Sequence, residues 1–271
     1  MIMLSDIAGY VGADTCGCLL AIRQDQQEEI SLMIDIGTNG EMVLGNRERM
    51  VTCSTAAGPA FEGAKIECGM RGAAGAVDHV KYEDGKWNYT TVGNKPAVGL
   101  CGSGLIDLVA GLLDAGMLDE NGVLRSGQEK QGVFILVLPE RGGNERGVYL
   151  TQKDLGEVQL AKAAIAAGIQ MLMERLGITE DDICSVYIAG AFGNYMDPVS
   201  AGKIGLFPAT LVKKVKPVGN AAGEGAKIAL VNEKEMLEMD ELVRKIEFVE
   251  LAASADFQDH FIDELGFETG E

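Results

Sequence analysis

The stretch IDIGTNGEMVLGN (34–46) decides how this chain folds. It begins inside the apolar run Ser31–Ile36, where Leu32, Met33 and Ile34 read as a strand buried on both faces. The run passes through Asp35 and turns over Gly37, Thr38, Asn39 and Gly40. It resumes as a second strand over 41–44. Asn-Gly between two apolar runs is the strongest short-range hairpin signal. A polar turn over 46–49 leads into a third strand over 50–54.

An aspartate ending a buried strand needs a partner for its charge, and a metal ion or its bound waters would serve. The glycines and threonine after it let backbone N–H groups and a hydroxyl face a phosphate with no Cβ in the way. Taken alone, the same residues also read as a plain hairpin whose Asp35 bonds its own turn.

Upstream of this core, 7–22 reads as a helix and 24–29 as a polar break. Downstream, a hairpin over 76–92 turns at Glu83-Asp84-Gly85, and a helix follows over 105–117 with Ser103 as its cap. A polar, Gly-rich excursion over 119–147 holds one strand, 133–138. The longest helix starts at Thr151, with Asp154 completing a capping box, and Gly177 ends it. Then strands at Ser185–Ala189, 214–218 and 246–251 alternate with helices at 198–205, Ala221–Val231 and 257–265. Three antiparallel strands followed by alternating helices and strands is the order of a ribonuclease-H-like subdomain. The expected fold is α/β, with a mixed sheet, helices on both faces, and inserted hairpin and loop segments. The whole chain, 1–271, reads as one domain. It divides into a three-strand phosphate-loop region (30–66), insertions with a helix (76–147), the long helix with Gly-rich turns (151–231), and a closing strand and helix (246–271).

Two further Gly-rich turns sit at carboxyl ends of predicted strands, where open α/β sheets place ligands. One contains Gly190, Ala191 and Gly193, and the other Gly219 and Asn220. Read singly, the first is equally a strand-to-helix turn and the second a tight helix–sheet contact. The run 99–104 lacks the spacing of a dinucleotide fingerprint, and 58–65 has alanine where a P-loop needs lysine, so both motifs are rejected.

Composition narrows the function classes. Apolar residues make up 47% and charged residues 24%, as in globular domains. A net charge of −18 leaves no basic footprint for nucleic acid and disfavours an anionic membrane surface. No apolar run approaches the roughly 18–20 residues of a membrane span. Residues 1–6 lack the basic start of a signal peptide. The six cysteines are scattered and read as reduced thiols, so a soluble cytoplasmic protein is expected. The spacing Cys-x4-Cys-x2-Cys is absent, which argues against an iron–sulfur cluster on this chain. His79 and His260 have no Cys or His at zinc-ligand spacing and read as surface residues.

The runs VGADT (11–15), IDIGTNGEMVLGN (34–46), CSTAAGPAFEGAKI (53–66), GLCGSGLID (99–107), TQKDLGEVQLAKAAI (151–165), YIAGAFGNYMDP (187–198) and VGNAAGEGAKIAL (218–230) are spread along the chain from residue 11 to residue 230. Together they resemble the C-terminal domain of corrinoid-protein reductive activators, which are actin-like ATPases of the ASKHA (acetate kinase/heat-shock/actin) superfamily serving methyltransferase and O-demethylase systems. The resemblance implies ATP and Mg2+ as cofactors, a corrinoid protein as partner, and ATP hydrolysis coupled to returning Co(II) corrinoid to Co(I). It implies a catalytic Asp35 that organises Mg2+ through water, with Gly37, Thr38, Asn39 and Gly40 on phosphate. Gly190, Ala191 and Gly193 would line the adenosine, and Gly219 and Asn220 would complete the nucleotide site. Lys162 would reach phosphate or base, or else face solvent, and the loop 58–63 would touch the corrinoid partner.

Full-length members are expected to carry a ferredoxin-like iron–sulfur domain and an earlier actin-like half. Both are missing here, so complete catalysis by this chain alone is not expected, and a homodimer remains compatible with the sequence. Two rival readings share the fold: a non-catalytic docking module for a corrinoid protein, and a small-molecule kinase of the acetate or sugar type.

Overall fold

The computed structural model describes residues 4–125, 132–190 and 193–267. The predicted meander is present as β1 (Ser31–Ile36), β2 (Gly40–Gly45) and β3 (Met50–Thr55), paired antiparallel with Ile36 opposite Gly40. Glycine is needed at position 40 for space, since a Cβ there would meet Thr55 Oγ1 at 2.9 Å and Ile165 Cγ1 at 3.1 Å. β9 (Ser185–Ala189) lies parallel to β1, and β10 (Val215–Gly219) lies parallel to β9. With the edge strand β11 (Glu247–Phe248) against β3, the sheet runs β10-β9-β1-β2-β3-β11. The mixed sheet matches the expectation.

Alternation along β1 sends Leu32, Ile34 and Ile36 to one face and Met33 and Asp35 to the other. The first face packs under α3 (Gln152–Leu176), whose Ile165, Ile169 and Leu172 are fully buried. Thr151 and Asp154 form the predicted capping box, alanines fill the helix interior, and Gly177 ends it in a left-handed conformation at φ 69°. The second face packs under α1 (Ala13–Ile22) and α5 (Ala221–Val231). These two helices touch backbone to backbone, because a Cβ on Gly225 would overlap the Gly17 carbonyl.

The inserted region holds the predicted hairpin, β4 (Ala76–Glu83) and β5 (Lys86–Thr91), with β6 (Gly99–Leu100) beside β4. α2 (Gly102–Asp114) packs on it, and β7 (Val133–Val137) pairs with β8 (Val148–Thr151). Trp87 ties these parts together, 4.9 Å from Tyr82 and 4.8 Å from Phe134 between ring centres. α4 (Pro198–Lys203), α6 (Glu233–Val243) and α7 (Ala255–Asp263) complete the elements discussed below.

Several expectations need correction. The first helix starts at Ala13, because residues 7–11 close their own turn through Ile7 N–H to Val11 O at 2.9 Å. Cys101 is the cap of α2 but makes no capping bond, its thiol donating to the Val77 carbonyl at 3.3 Å. Ser103 is the second residue of the helix and donates to the Asp78 carbonyl at 2.8 Å. The excursion contributes β7 to a pair with β8, a strand not foreseen, and α6 was also not foreseen. The strand over 246–251 shrinks to two residues. His79 bonds Asp107 at 3.1 Å and His260 bonds Glu174 at 2.9 Å, both near the surface. The six cysteines are free thiols, four of them buried. Among the described residues, no helix is long and apolar enough to cross a membrane.

Candidate functional site

Three neighbouring parallel strands end side by side, with Asp35 opposite Ala189 and Ala189 opposite Gly219 in the register. The predicted turns after β1, β9 and β10 therefore meet at one edge of the sheet. The Gly190 N–H donates to the Gly219 carbonyl at 2.9 Å, joining the second and third turns. Gly190 and Gly219 take φ values of 91° and 60°, which favour glycine. A Cβ on Gly190 would stand 3.1 Å from Asp35 Oδ1, and one on Gly219 would stand 2.9 Å from the Asn194 side chain. Gly193 approaches the Ile188 carbonyl, where a Cβ would sit at 2.8 Å. Asn220 caps α5, its side chain accepting the Gly223 N–H at 2.9 Å. Ala191 lies outside the described residues.

At the first turn, the Gly37 N–H is spent on the Asn39 carbonyl at 3.0 Å, and Gly40 begins β2. Thr38 and Asn39 are exposed. The Thr38 hydroxyl donates to Glu62 at 3.1 Å, a carboxylate that local sequence gave no reason to expect here. Beside the turn lies a cavity of about 570 Å³ lined by Ile36, Phe61, Glu62, Arg71, Ser103 and Tyr195 among others.

Asp35 points toward α1, where the Cys18 thiol donates to its Oδ2 at 3.7 Å. Burial, then the Asp14 carboxylate, pushes Asp35 above the ordinary carboxylate value. Glu41 faces Asp35 across the strands, and burial followed by Asp14 and Asp35 pushes it up to about 7. Burial, with Asp35 beside it, likewise pushes the Cys18 thiol up. Asp14 and Glu41 were missed as site residues. Glu41 was findable, because a loop of three residues after Ile36 forces positions 35 and 41 opposite each other.

Lys162 stands elsewhere. It is 2% exposed, which rules out the solvent-facing reading. Its Nζ is 3.8 Å from Glu264, 5.6 Å from the Phe267 ring centre, and 3.0 Å from where a Cβ on Gly205 would be. Its neighbour on the helix, Gln159, donates to the Leu265 carbonyl at 2.9 Å. Both side chains thus meet the segment from α7 onward, while Asp35, Thr38, Gly190, Gly219 and Asn220 gather at the strand ends.

This edge sets a crowded, partly desolvated carboxylate next to a turn of small residues with an exposed hydroxyl. Among the described residues, no group of three His, Cys, Asp or Glu side chains is placed to hold a metal. The donor set still fits Mg2+ accompanied by phosphate, since that ion keeps several waters and takes only one or two carboxylates from the protein. The unrelieved charge around Asp35 is what such a cation would neutralise, and the glycines leave room where a Cβ would intrude.

A family described as the C-terminal domain of RACo, the ASKHA domain, matches residues 29–271. The chain is 37% identical to "Corrinoid activation enzyme RamQ" of Eubacterium limosum over 94% of its length and 45% of that protein's. It is 29% identical to "[Co(II) methylated amine-specific corrinoid protein] reductase" of Methanosarcina barkeri, over 96% of its length and 50% of that protein's. Among solved structures, "Reductive activator for corrinoid,iron-sulfur protein" superposes with a TM-score of 0.90 at 39% identity, covering 97% of this chain and 44% of the other. The chain spans about half the length of the curated relatives it matches.

Proposed function

Because the chain belongs to the family of the C-terminal ASKHA domain of RACo, we propose that it is the nucleotide-binding half of an ATP-dependent activator that returns Co(II) corrinoid protein to Co(I). The observation that carries this reading is the meeting of Asp35, the Gly37–Gly40 turn, Gly190 and Gly219 at the ends of three adjacent strands. Names given to the relatives, a corrinoid activation enzyme and a Co(II) corrinoid protein reductase, support the substrate class.

When bound, Mg-ATP supplies the free energy that an uphill one-electron reduction requires. Asp35 would hold the divalent cation through its waters, and its raised proton affinity would fall once that charge is present. Thr38, Asn39 and Gly40 would hold the phosphates, the first through its hydroxyl and the others through backbone N–H groups. Gly190, Gly193 and Gly219 let the turns close tightly against Asp35, Ile188 and Asn194, where they would line the adenosine, and Asn220 holds α5 in place behind them. Ferredoxin-like electron delivery and the opposing wall of the nucleotide cleft belong, in this reading, to a separate part of the activator working in the cytoplasm.

The test combines the chain with the remainder of such an activator, an electron donor and Co(II) corrinoid protein. Co(I) absorbance should grow only when Mg-ATP is added. The same rate without nucleotide would overturn the proposal. A second reading is that this part docks the corrinoid protein without turning over ATP. Partner binding of equal strength with and without nucleotide would favour it.

A further inference from the structure

Glu62 stands in the place a phosphate would need. Its Oε2 accepts the Thr38 hydroxyl at 3.1 Å, and its Oε1 lies 3.8 Å from where a Cβ on Gly37 would be. The side chain is exposed, so burial does not force it there. No ion-pair partner for it is found among the described residues. A carboxylate and a phosphate cannot share one hydroxyl donor at contact distance without strong repulsion. Whatever anion enters the turn must therefore move Glu62 first.

The surroundings offer the side chain somewhere to go. Glu62 and Arg71 line the same cavity of about 570 Å³, and Arg71 is exposed with no ion pair among the described residues. The backbone of the loop is pinned near its end, because a Cβ on Gly63 would lie 2.6 Å from the Met70 nitrogen. The rearrangement is thus a rotation of one flexible side chain, not a movement of the loop.

We propose that Glu62 is an internal stand-in for phosphate, held by Thr38 at the turn and displaced toward Arg71 when nucleotide phosphate binds. This rests on the nucleotide reading given above. Glu62 is a positioning residue: it weakens binding of every anion and favours those that arrive with a divalent cation, whose charge offsets the repulsion. It also transfers occupancy of the turn to an exposed arginine, which a partner can sense.

The test is calorimetric titration of the chain with Mg-ATP and, separately, with inorganic phosphate. It compares wild type, E62Q, R71A and the double variant. Glu62→Gln keeps an oxygen for Thr38 and removes the charge, so both ligands should bind roughly three- to tenfold tighter. That gain should shrink at high salt. Arg71→Ala should weaken binding about threefold in the wild-type background and have no effect in the E62Q background, the signature of coupling between the two. Both residues are exposed, so both variants should unfold at the wild-type midpoint.

Wild-type binding that E62Q leaves unchanged or weakens would overturn this inference and leave the nucleotide reading standing. Equal loss from R71A in both backgrounds would show direct contact between Arg71 and phosphate, overturning the displacement. No binding of Mg-ATP to wild type or E62Q, with the remainder of the activator added, would remove both readings together.

Discussion

On the α3 side of the central sheet, Leu32, Ile34, Ile36, Met42 and Leu44 meet Ile165, Ile169 and Leu172. On the α1 side, Met33, Val43 and Ala189 meet Cys16, Cys18 and Ala221, and Gly17 lets α5 come within backbone contact. The first side is filled with large branched side chains, and burying them supplies most of the stability. The second mixes Met33, Val43, Leu19 and Leu20 with small residues gathered where α1 meets α5, and its outer edge carries Asp35, Glu41 and Asp14. Large side chains can pack densely where no ligand has to enter. Small residues hold helices so close that the strand-end turns keep a fixed geometry, and the clustered charge is tolerated at a cost.

The largest effect should come from the α3 side. Ile169→Ala removes a fully buried side chain and should destabilise by about 2–5 kcal/mol in chemical denaturation. A loss under about 1 kcal/mol would break the comparison, since that face would then not be the close-packed one. Gly225→Ala on the other side should cost about 1–3 kcal/mol, because the added methyl overlaps the Gly17 carbonyl. A neutral result would mean that α1 and α5 can part easily.

The charged edge predicts a change of opposite sign. Glu41 has a folded value of about 7 against an ordinary 4.5, so the folded state holds its proton more tightly than the unfolded one. Relative stability is therefore greatest below pH 4.5 and is lost as pH rises through about 7. Glu41→Gln removes this loss and should stabilise the protein by about 1–2 kcal/mol at pH 8, with little effect at pH 4. Melting curves at the two pH values check it, and equal shifts at both would contradict the desolvated-carboxylate account. Smallest is Thr151→Ala, which removes the cap of α3 and should cost about 1 kcal/mol in the same denaturation assay. A cost well above 2 kcal/mol would mean the cap, more than the packed face, holds that helix.

What could be read in advance follows the reach of the physical signal. β1 to β3 were legible because the turn at 37–40 and the polar turn at 46–49 punctuate apolar runs locally. α3 was legible at both ends because Thr151, Asp154 and Gly177 act within their own turns. α6 was not, since acidic residues interrupt the apolar ones along 233–243 and its Met239 is buried only by tertiary contact. β8 is four residues long and runs straight into the cap of α3, so only its pairing with β7 defines it. The same division holds at the site. Asp35, Gly190 and Gly219 announce themselves as strand-end residues, whereas Glu62 reaches Thr38 across 24 residues of chain and leaves no local trace. Lys162 lay on a legible helix, but its direction was set by α7 and Phe267, far along the sequence.

The central claim is that the edge at Asp35 holds a metal–nucleotide pair. Its most direct test is equilibrium titration of the chain with Mg-ATP beside the same titration of Asp35→Ala. The account predicts wild-type binding with a Kd on the order of 1 μM, weakened at least about tenfold by the substitution. Equal affinity in the two proteins would contradict it.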